Sequence, residues 1–382
     1  MPFNSKFSIR YKSAFALVVF LAVAPGGSRA ADADLARKLA LLELPAGFEI
    51  QLYASGVENA RQLARGDKGT VFAGSRRAGK VHAVVDEDGD GKAERVYLLD
   101  EGLQMPSGIE FRDDALYVGA VDRILRYDDI EARLDDPPEP VLVTDRFPDA
   151  THHGWKYLRF GPDGLLYVPV GAPCNICDEP GFAQIRRIRA DGSGEEVYAE
   201  GIRSSVGLTF HPNSAELWFT DNGRDMMGDN LPGDELNHAP RAGLHFGYPY
   251  CHQGNVPDPE FGEGKSCDDY RPPALVLGPH VAALGLSFYT GEMFPPEYRG
   301  DLFIAQHGSW NRSEKIGYDI LRVHFDEQGK ADGSETFASG WLQGEDNWGR
   351  PNDVLQLPDG SLLIADDQQG AIYRVVYRNP SE

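Results

Sequence analysis

His152 and His153 are the residues best suited to moving a proton. A neutral imidazole near pH 7 can take a proton from an alcohol. The alternative is a rim position where both rings only satisfy backbone groups. Cationic or hydrogen-bonding side chains stand at similar places elsewhere: Arg61, Gln104, Arg203, His280 and Arg350, each opening an apolar stretch. If these stretches meet at one end, their heads build a pocket for a ligand bearing several carboxylates or phosphates.

Gln306-His-Gly-Ser-Trp-Asn-Arg312 follows an apolar run directly. His307 and Arg312 can reach an anionic ligand, and Trp310 can stack on a flat one. Trp155 sits beside the histidine pair, at the same rim. Asp221-Asn-Gly-Arg-Asp225 is a glycine-containing acidic loop, with Asp229, Asp234 and Glu235 downstream. It can hold a hard cation by oxygen ligands or simply be a solvated loop. Asp86-Glu-Asp-Gly-Asp-Gly91 begins like a calcium loop, but Tyr97 stands where an EF-hand needs glutamate at the twelfth position. Asp86, Asp88, Asp90 and Glu94 form either a calcium site or an acidic turn. No Gly-x-Gly-x-x-Gly, Walker loop or Gly-x-Ser-x-Gly elbow is present, which argues against nicotinamide, ATP and serine-hydrolase chemistry.

Six repeats must position these residues. Each runs strand, tight turn, strand, loop, strand, as in Leu158-Arg-Phe, Gly161-Pro-Asp-Gly164, then Leu165-Leu-Tyr-Val. The repeats open near Ala60, Pro106, His153, Arg203, His280 and Arg350. Their spacing, mostly roughly 45–50 residues, is the signature of propeller blades. No long helical period intervenes, so the expected fold is all-β, a six-bladed β-propeller in a single domain. Phe48-Glu-Ile-Gln-Leu-Tyr is a candidate outer strand for the last blade.

Before the propeller, Lys6, Arg10 and Lys12 head an apolar run at residues 14–24, and Ser28-Arg-Ala30 suits signal peptidase. Residues 1–30 read as an export signal, the alternative being a membrane anchor. Residues 31–46 read as a lead-in with a short helix at 33–42, and 47–380 as the propeller. The expected location is periplasmic or secreted, with no membrane span once the signal is removed. Removing a leader with four basic and no acidic residues takes the formal charge from −22 to −26. That balance argues against nucleic acid as a partner. Four cysteines in an exported chain point to disulfides. Cys174 with Cys177 and Cys251 with Cys267 is the natural pairing, although two other connectivities are possible. Asp178 follows Cys177 where a c-type haem needs histidine, so no c-type haem is attached there.

Four motifs carry a family resemblance: His153-Gly-Trp-Lys-Tyr-Leu-Arg-Phe-Gly-Pro-Asp-Gly, Gly201-Ile-Arg-Ser-Ser-Val-Gly-Leu, Phe219-Thr-Asp-Asn-Gly-Arg-Asp and His307-Gly-Ser-Trp-Asn-Arg. With them the chain resembles the soluble quinoprotein glucose/sorbosone dehydrogenases, in particular the sorbosone and pyranose dehydrogenase branch. The resemblance implies a six-bladed propeller with pyrroloquinoline quinone (PQQ) across the channel mouth. It implies His153 as the base for a sugar hydroxyl and Arg203 beside the quinone oxygens. Arg61, Arg350 and Arg312 would pair with carboxylates of the cofactor, with Trp155, His280 and His307 as further cofactor contacts. A calcium ion would sit on backbone carbonyls around Gly223 and Arg224 and act as Lewis acid. The electron acceptor would be a redox protein or a quinone.

Three departures are visible. Glucose-oxidising members carry a Gly-Asp pair that orients the base, where this chain has Gly171-Ala172. They place asparagine after the channel arginine, where Ser204 stands, and their cofactor-contacting lysine has no clear counterpart. Two other readings of the same fold follow: a calcium-dependent lactonase, and a non-catalytic propeller that binds a sugar or protein.

Overall fold

The second strand of every repeat is a five-residue apolar run buried along its whole length: Val71–Ser75, Ala115–Gly119, Leu166–Val170, Leu217–Asp221, Leu302–Gln306 and Leu362–Asp366. Such a run needs cover on both faces, which stacked sheets supply. In the computed structural model, which describes residues 26–379, each becomes the second strand of one four-stranded blade. The blades are antiparallel sheets in chain order, and six apolar clusters fill the spaces between successive blades. The last cluster joins Leu363 and Ile372 of blade 6 to Leu63 and Val71 of blade 1, so the ring is closed. Outer strands such as Arg95–Glu101 are largely exposed, because no further sheet covers them.

Closure is made by the N-terminal strand Phe48–Ser55, which pairs antiparallel with Ala371–Tyr377 and completes blade 6. The expected outer strand is therefore found. Blade 4 departs from simple repetition. Between its third strand, Gly233–Ala239, and its fourth, Leu275–Pro279, the chain lends Leu244–His245 to the edge of blade 3 as a parallel strand. The Cys251–Cys267 disulfide staples this excursion, and Cys174 pairs with Cys177.

Inner strands approach one another closely around the axis. A Cβ at Gly207 would lie 2.1 Å from the carbonyl oxygen of Leu284, so blades 4 and 5 require glycine there. Polar side chains tie the ring from within. Asp353 accepts from the Leu63 amide at 2.7 Å and the Tyr157 hydroxyl at 3.1 Å. Gln62 bonds both the carbonyl and the amide of Leu158.

The lead-in helix spans Gly26–Leu39, earlier at both ends than the expected 33–42. It crosses the expected cleavage point after Ala30, and the Ala-, Leu- and Arg-rich residues 30–39 have high helix propensity. The rest of the expected leader, residues 1–25, lies outside the described residues. Among the described residues no helix is long and apolar enough to cross a membrane.

Candidate active site

A cavity of about 500 Å³ opens at one mouth of the propeller axis. Two kinds of segment reach it: those entering the first strand of a blade, and those leaving the second. The entering segments bring Arg61, His153, Trp155, Arg203, His280 and Arg350, and the leaving ones bring Gly223 and His307. Eight of the ten residues to which the family resemblance gives a role thus share one wall.

The other two are elsewhere. Arg312 turns out of the cavity and gives its guanidinium to the carbonyls of Asp229 and Glu314, joining two rim loops. The side chain of Arg224 runs behind the wall to Asp258 and Glu260, leaving only its backbone near the mouth. Gln104 is exposed and off the wall, so five blades rather than six furnish the lining. Asp86, Asp88, Asp90 and Glu94 do cluster, but away from the mouth and largely exposed.

His153 is fixed in one orientation. Its Nδ1 lies 2.9 Å from the carbonyl oxygen of Ala172. A carbonyl only accepts, so Nδ1 carries the proton and Nε2 keeps a free lone pair. The backbone of His153 has φ of +50°, and a Cβ on Gly171 would come within 2.6 Å of the His153 Cβ. Glycine at 171 is therefore a packing requirement of this histidine. Burial, then the Arg203 charge and the neighbouring His152, hold the His153 ring well below the usual imidazole range. It is neutral and proton-accepting at pH 7. His152 is more exposed, its ring centroid 4.1 Å from that of His153.

Arg203 is 3% exposed and its guanidinium is held on every side. It donates to Asn175 O and Oδ1, both at 2.9 Å, to Asn222 O at 3.1 Å and to Asp225 Oδ2 at 3.0 Å. Its backbone amide, with that of Ser204, is clamped by the Asp221 carboxylate. Ser204 itself lines the cavity.

Across the cavity, Arg61 pairs with Asp367 at 2.8 Å, and His307 Nε2 meets the same carboxylate at 2.9 Å. Burial would raise the Asp367 carboxyl, but Arg61 and His307 outweigh it and hold it well below the ordinary range. Burial brings His307 down to about 4, so it is neutral and donates Nε2–H. Arg350 donates to the carbonyls of His307 and Gly308. His280 is committed to Gly228 O and Asn311.

Sequence inspection missed Arg76 and Arg77, which leave the second strand of blade 1 just as His307 leaves that of blade 5. That equivalence was the available signal, and it also points to Asp225 and Asp367. The Arg76 guanidinium lies 3.5 Å from the Trp155 ring centroid. Burial, with Arg61 and Arg77 beside it, brings Arg76 to about 10, still cationic at pH 7. Arg61 Nε, Arg76 Nε and Trp155 Nε1 are buried without a hydrogen-bond partner. Five arginines and two aspartates, Asp225 and Asp234, line the cavity of a chain whose formal charge is −22. The mouth is a locally cationic basin in an acidic molecule.

Residues 42–378 match the family model described as TrAA12-like. An uncharacterized protein of Borreliella burgdorferi is 34% identical over 351 residues, spanning 88% of this chain and 91% of that protein. A pyrroloquinoline quinone-dependent pyranose dehydrogenase of Coprinopsis cinerea is 23% identical over 338 residues, spanning 72% of this chain and 44% of that enzyme. Among solved structures, the holo PQQ domain of the Coprinopsis cinerea pyranose dehydrogenase superposes with TM-score 0.76 at 19% identity, covering 88% of this chain and 97% of that one. A calcium structure of a Trichoderma reesei carbohydrate-active enzyme of family AA12 gives TM-score 0.75 at 19% identity, with the same coverage. A PQQ-bound aldose sugar dehydrogenase of Streptomyces coelicolor gives 0.63 at 20% identity, over 87% and 99% of the chains. At these identities the structures establish a shared propeller fold.

Proposed function

Because the chain belongs to the TrAA12-like family, we propose that it is a PQQ-dependent dehydrogenase oxidising a hydroxyl of an aldose or related pyranose. The observation that carries this reading is the meeting of five arginines around one neutral, oriented histidine. PQQ is a flat molecule with three carboxylates, and the wall fits such a group. Orphaned N–H donors on Arg61, Arg76 and Trp155 await acceptors, and the cavity has the size of a small-molecule site. When bound, PQQ would supply an ortho-quinone that accepts the two electrons of the oxidation as one hydride.

Arg61, Arg76 and Arg350 would hold the carboxylates, the first two against the Trp155 side of the basin. Arg203 is locked by its acceptors before any ligand arrives, so its charge needs no rearrangement to stabilise a developing oxyanion. His153 Nε2 takes the proton of the sugar hydroxyl while Nδ1–H stays on Ala172 O. A base of this kind contributes roughly 10²–10⁴ in rate. The backbone carbonyl thus performs the orienting task of the missing aspartate. It adds no negative charge, consistent with the lowered basicity of the ring.

Calcium fits the bare wall poorly. Asp234 is already engaged by the amides of Gly223, Ala282 and Ala283, and each oxygen of Asp225 by Asn311 or Arg203, so neither offers a free carboxylate oxygen. Asn222 O carries Arg203, leaving the carbonyls of Gly223 and Arg224. Calcium takes six to eight oxygens, so the rest would have to come from a bound ligand and water. The same engagement disfavours a lactonase, which needs open carboxylates on the axial metal.

The disulfides suit export to an oxidising compartment, with electrons leaving to a separate redox protein or quinone. The test is to add PQQ, with and without calcium, to the purified protein, then follow quinone absorbance and dye reduction over a panel of sugars. Cofactor uptake with sugar-dependent dye reduction is expected. No uptake, with lactone hydrolysis or sugar binding instead, would replace this reading.

A further inference from the structure

We infer that Asn175, carried on the Cys174–Cys177 disulfide loop, is a positioning residue for Arg203, so that reducing this bridge slows the reaction. The inference rests on the role proposed above for Arg203. Asn175 provides two of the guanidinium's four acceptors, through its carbonyl and its side-chain oxygen, both at 2.9 Å. It also governs a third. Asp225 is held on Asn175 by its own amide, at 2.8 Å to Oδ1, and by its carbonyl, which accepts Asn175 Nδ2 at 3.0 Å. Only Asn222 O is independent of Asn175.

The four-residue loop bearing Asn175 lies outside any strand, and apart from the bonds of Asn175 to Arg203 and Asp225 it is fixed by two things. One is the disulfide itself. The other is the buried Tyr248 hydroxyl, which accepts from the Cys177 amide at 3.0 Å and lies 3.6 Å from Cys174 Sγ. Both cysteines are partly exposed, and Cys177 also faces a second cavity of about 300 Å³, so a small dithiol can reach the bridge. Reduction breaks the S–S bond and leaves two thiols, two electrons and two protons coming from the dithiol, which closes to its own disulfide. The loop then loses its cross-link and regains conformational freedom. The Arg203 backbone stays in place, because Asp221 and the Ala172 amide hold it separately. What loosens is the guanidinium.

The test begins on protein without cofactor, by ¹⁵N–¹H NMR of the Arg203 Nε–H, identified by its loss in Arg203→Lys. This proton is bonded to Asn175 O and should exchange slowly with solvent. Dithiothreitol should speed its exchange about tenfold or more, as should Asn175→Ala, and reductant should add nothing in Asn175→Ala. Cys251→Ser/Cys267→Ser, which keeps only the Cys174–Cys177 bridge, should respond like the parent. For activity, protein reduced with dithiothreitol, capped with iodoacetamide and freed of both reagents before PQQ is loaded should show kcat lowered about 10- to 100-fold at unchanged sugar KM, as should PQQ-loaded Asn175→Ala. The inference is overturned if reductant leaves the exchange unchanged, if it acts equally in Asn175→Ala, or if exchange rises while kcat holds. Absence of sugar oxidation altogether would remove the proposed function but leave the NMR result to judge the positioning.

Discussion

Replacing Gly171 with alanine puts a methyl group where His153 already stands. The added Cβ would meet the His153 Cβ at 2.6 Å and its carbonyl oxygen at 2.7 Å. Ordinary contact begins near 3.4 Å, so the histidine must retreat by about 0.8 Å. Gly171 has no positive φ, so the new residue itself suffers no backbone strain. The effect is a push on the neighbour alone. A shift of that size lengthens the 2.9 Å bond from Nδ1 to Ala172 O beyond useful range. Losing it costs about 1 kcal/mol, and crowding the core about 1–3 kcal/mol of stability. Misplacing the base by nearly an ångström costs up to about 100-fold in kcat, or roughly 2.7 kcal/mol of barrier. The assay pairs dye reduction by PQQ-loaded protein with ¹⁵N NMR of the His153 ring, which reports the tautomer directly. The expected result is a lowered kcat together with loss of the single Nδ1–H tautomer. Full activity with the tautomer intact would refute the claim that Ala172 O sets the base. So would lost activity with an undisturbed ring.

Three further outcomes are expected. His153→Ala should lower kcat/KM by roughly 10²–10⁴ while leaving PQQ affinity unchanged, whereas changing Arg203 should harm both; a fully active His153 variant moves the base to His152 or elsewhere. Because the folded-state pKa of His153 is lowered, its protonation, and with it the acid limb of kcat/KM, belongs below pH 6.5, with a level profile through neutrality; a limb centred above 6.5 contradicts this. Asp367→Asn should cost about 3–5 kcal/mol in urea unfolding at pH 7, since Arg61 stays buried without its partner. The Asp367 carboxyl is depressed in the folded state, so its contribution is present above the unfolded value of 3.8 and fades as pH falls below it. A gap between parent and variant that widens with acid would show that sign to be wrong.

The blades were legible because their cause is local. A five-residue apolar run between turn residues such as Gly161-Pro-Asp-Gly164 can only be a short strand covered on both faces, and six of them give six blades. The cysteine pairing was legible for the same reason, each pair lying within one loop. So was most of the site, since His153, Arg203, His280 and Arg350 occupy equivalent places in successive repeats. Arg76 and Asp367 were overlooked because segments leaving second strands were read for site residues in blades 4 and 5 only, although those of blades 1 and 6 arrive at the same face. Arg312 was drawn in by its motif, yet one more residue along the loop turns it toward Asp229.

From the chain alone came periodicity: which segments pair, how many times, and which residue types cluster at their ends. These follow from alternation and turn chemistry over a few residues. Only the closed ring decided which of those ends touch. Arg61 and Asp367 are more than 300 residues apart and meet because Phe48–Ser55 completes the last blade beside the first. Arg203 finds Asn175 because neighbouring blades converge on the axis, and His153 meets the Ala172 carbonyl because its own blade folds the end of the second strand back beside the entry to the first. Charge pairing depends on distances of a few ångströms between blades, and the proton position on His153 on a similar distance across one blade, and no local pattern encodes those.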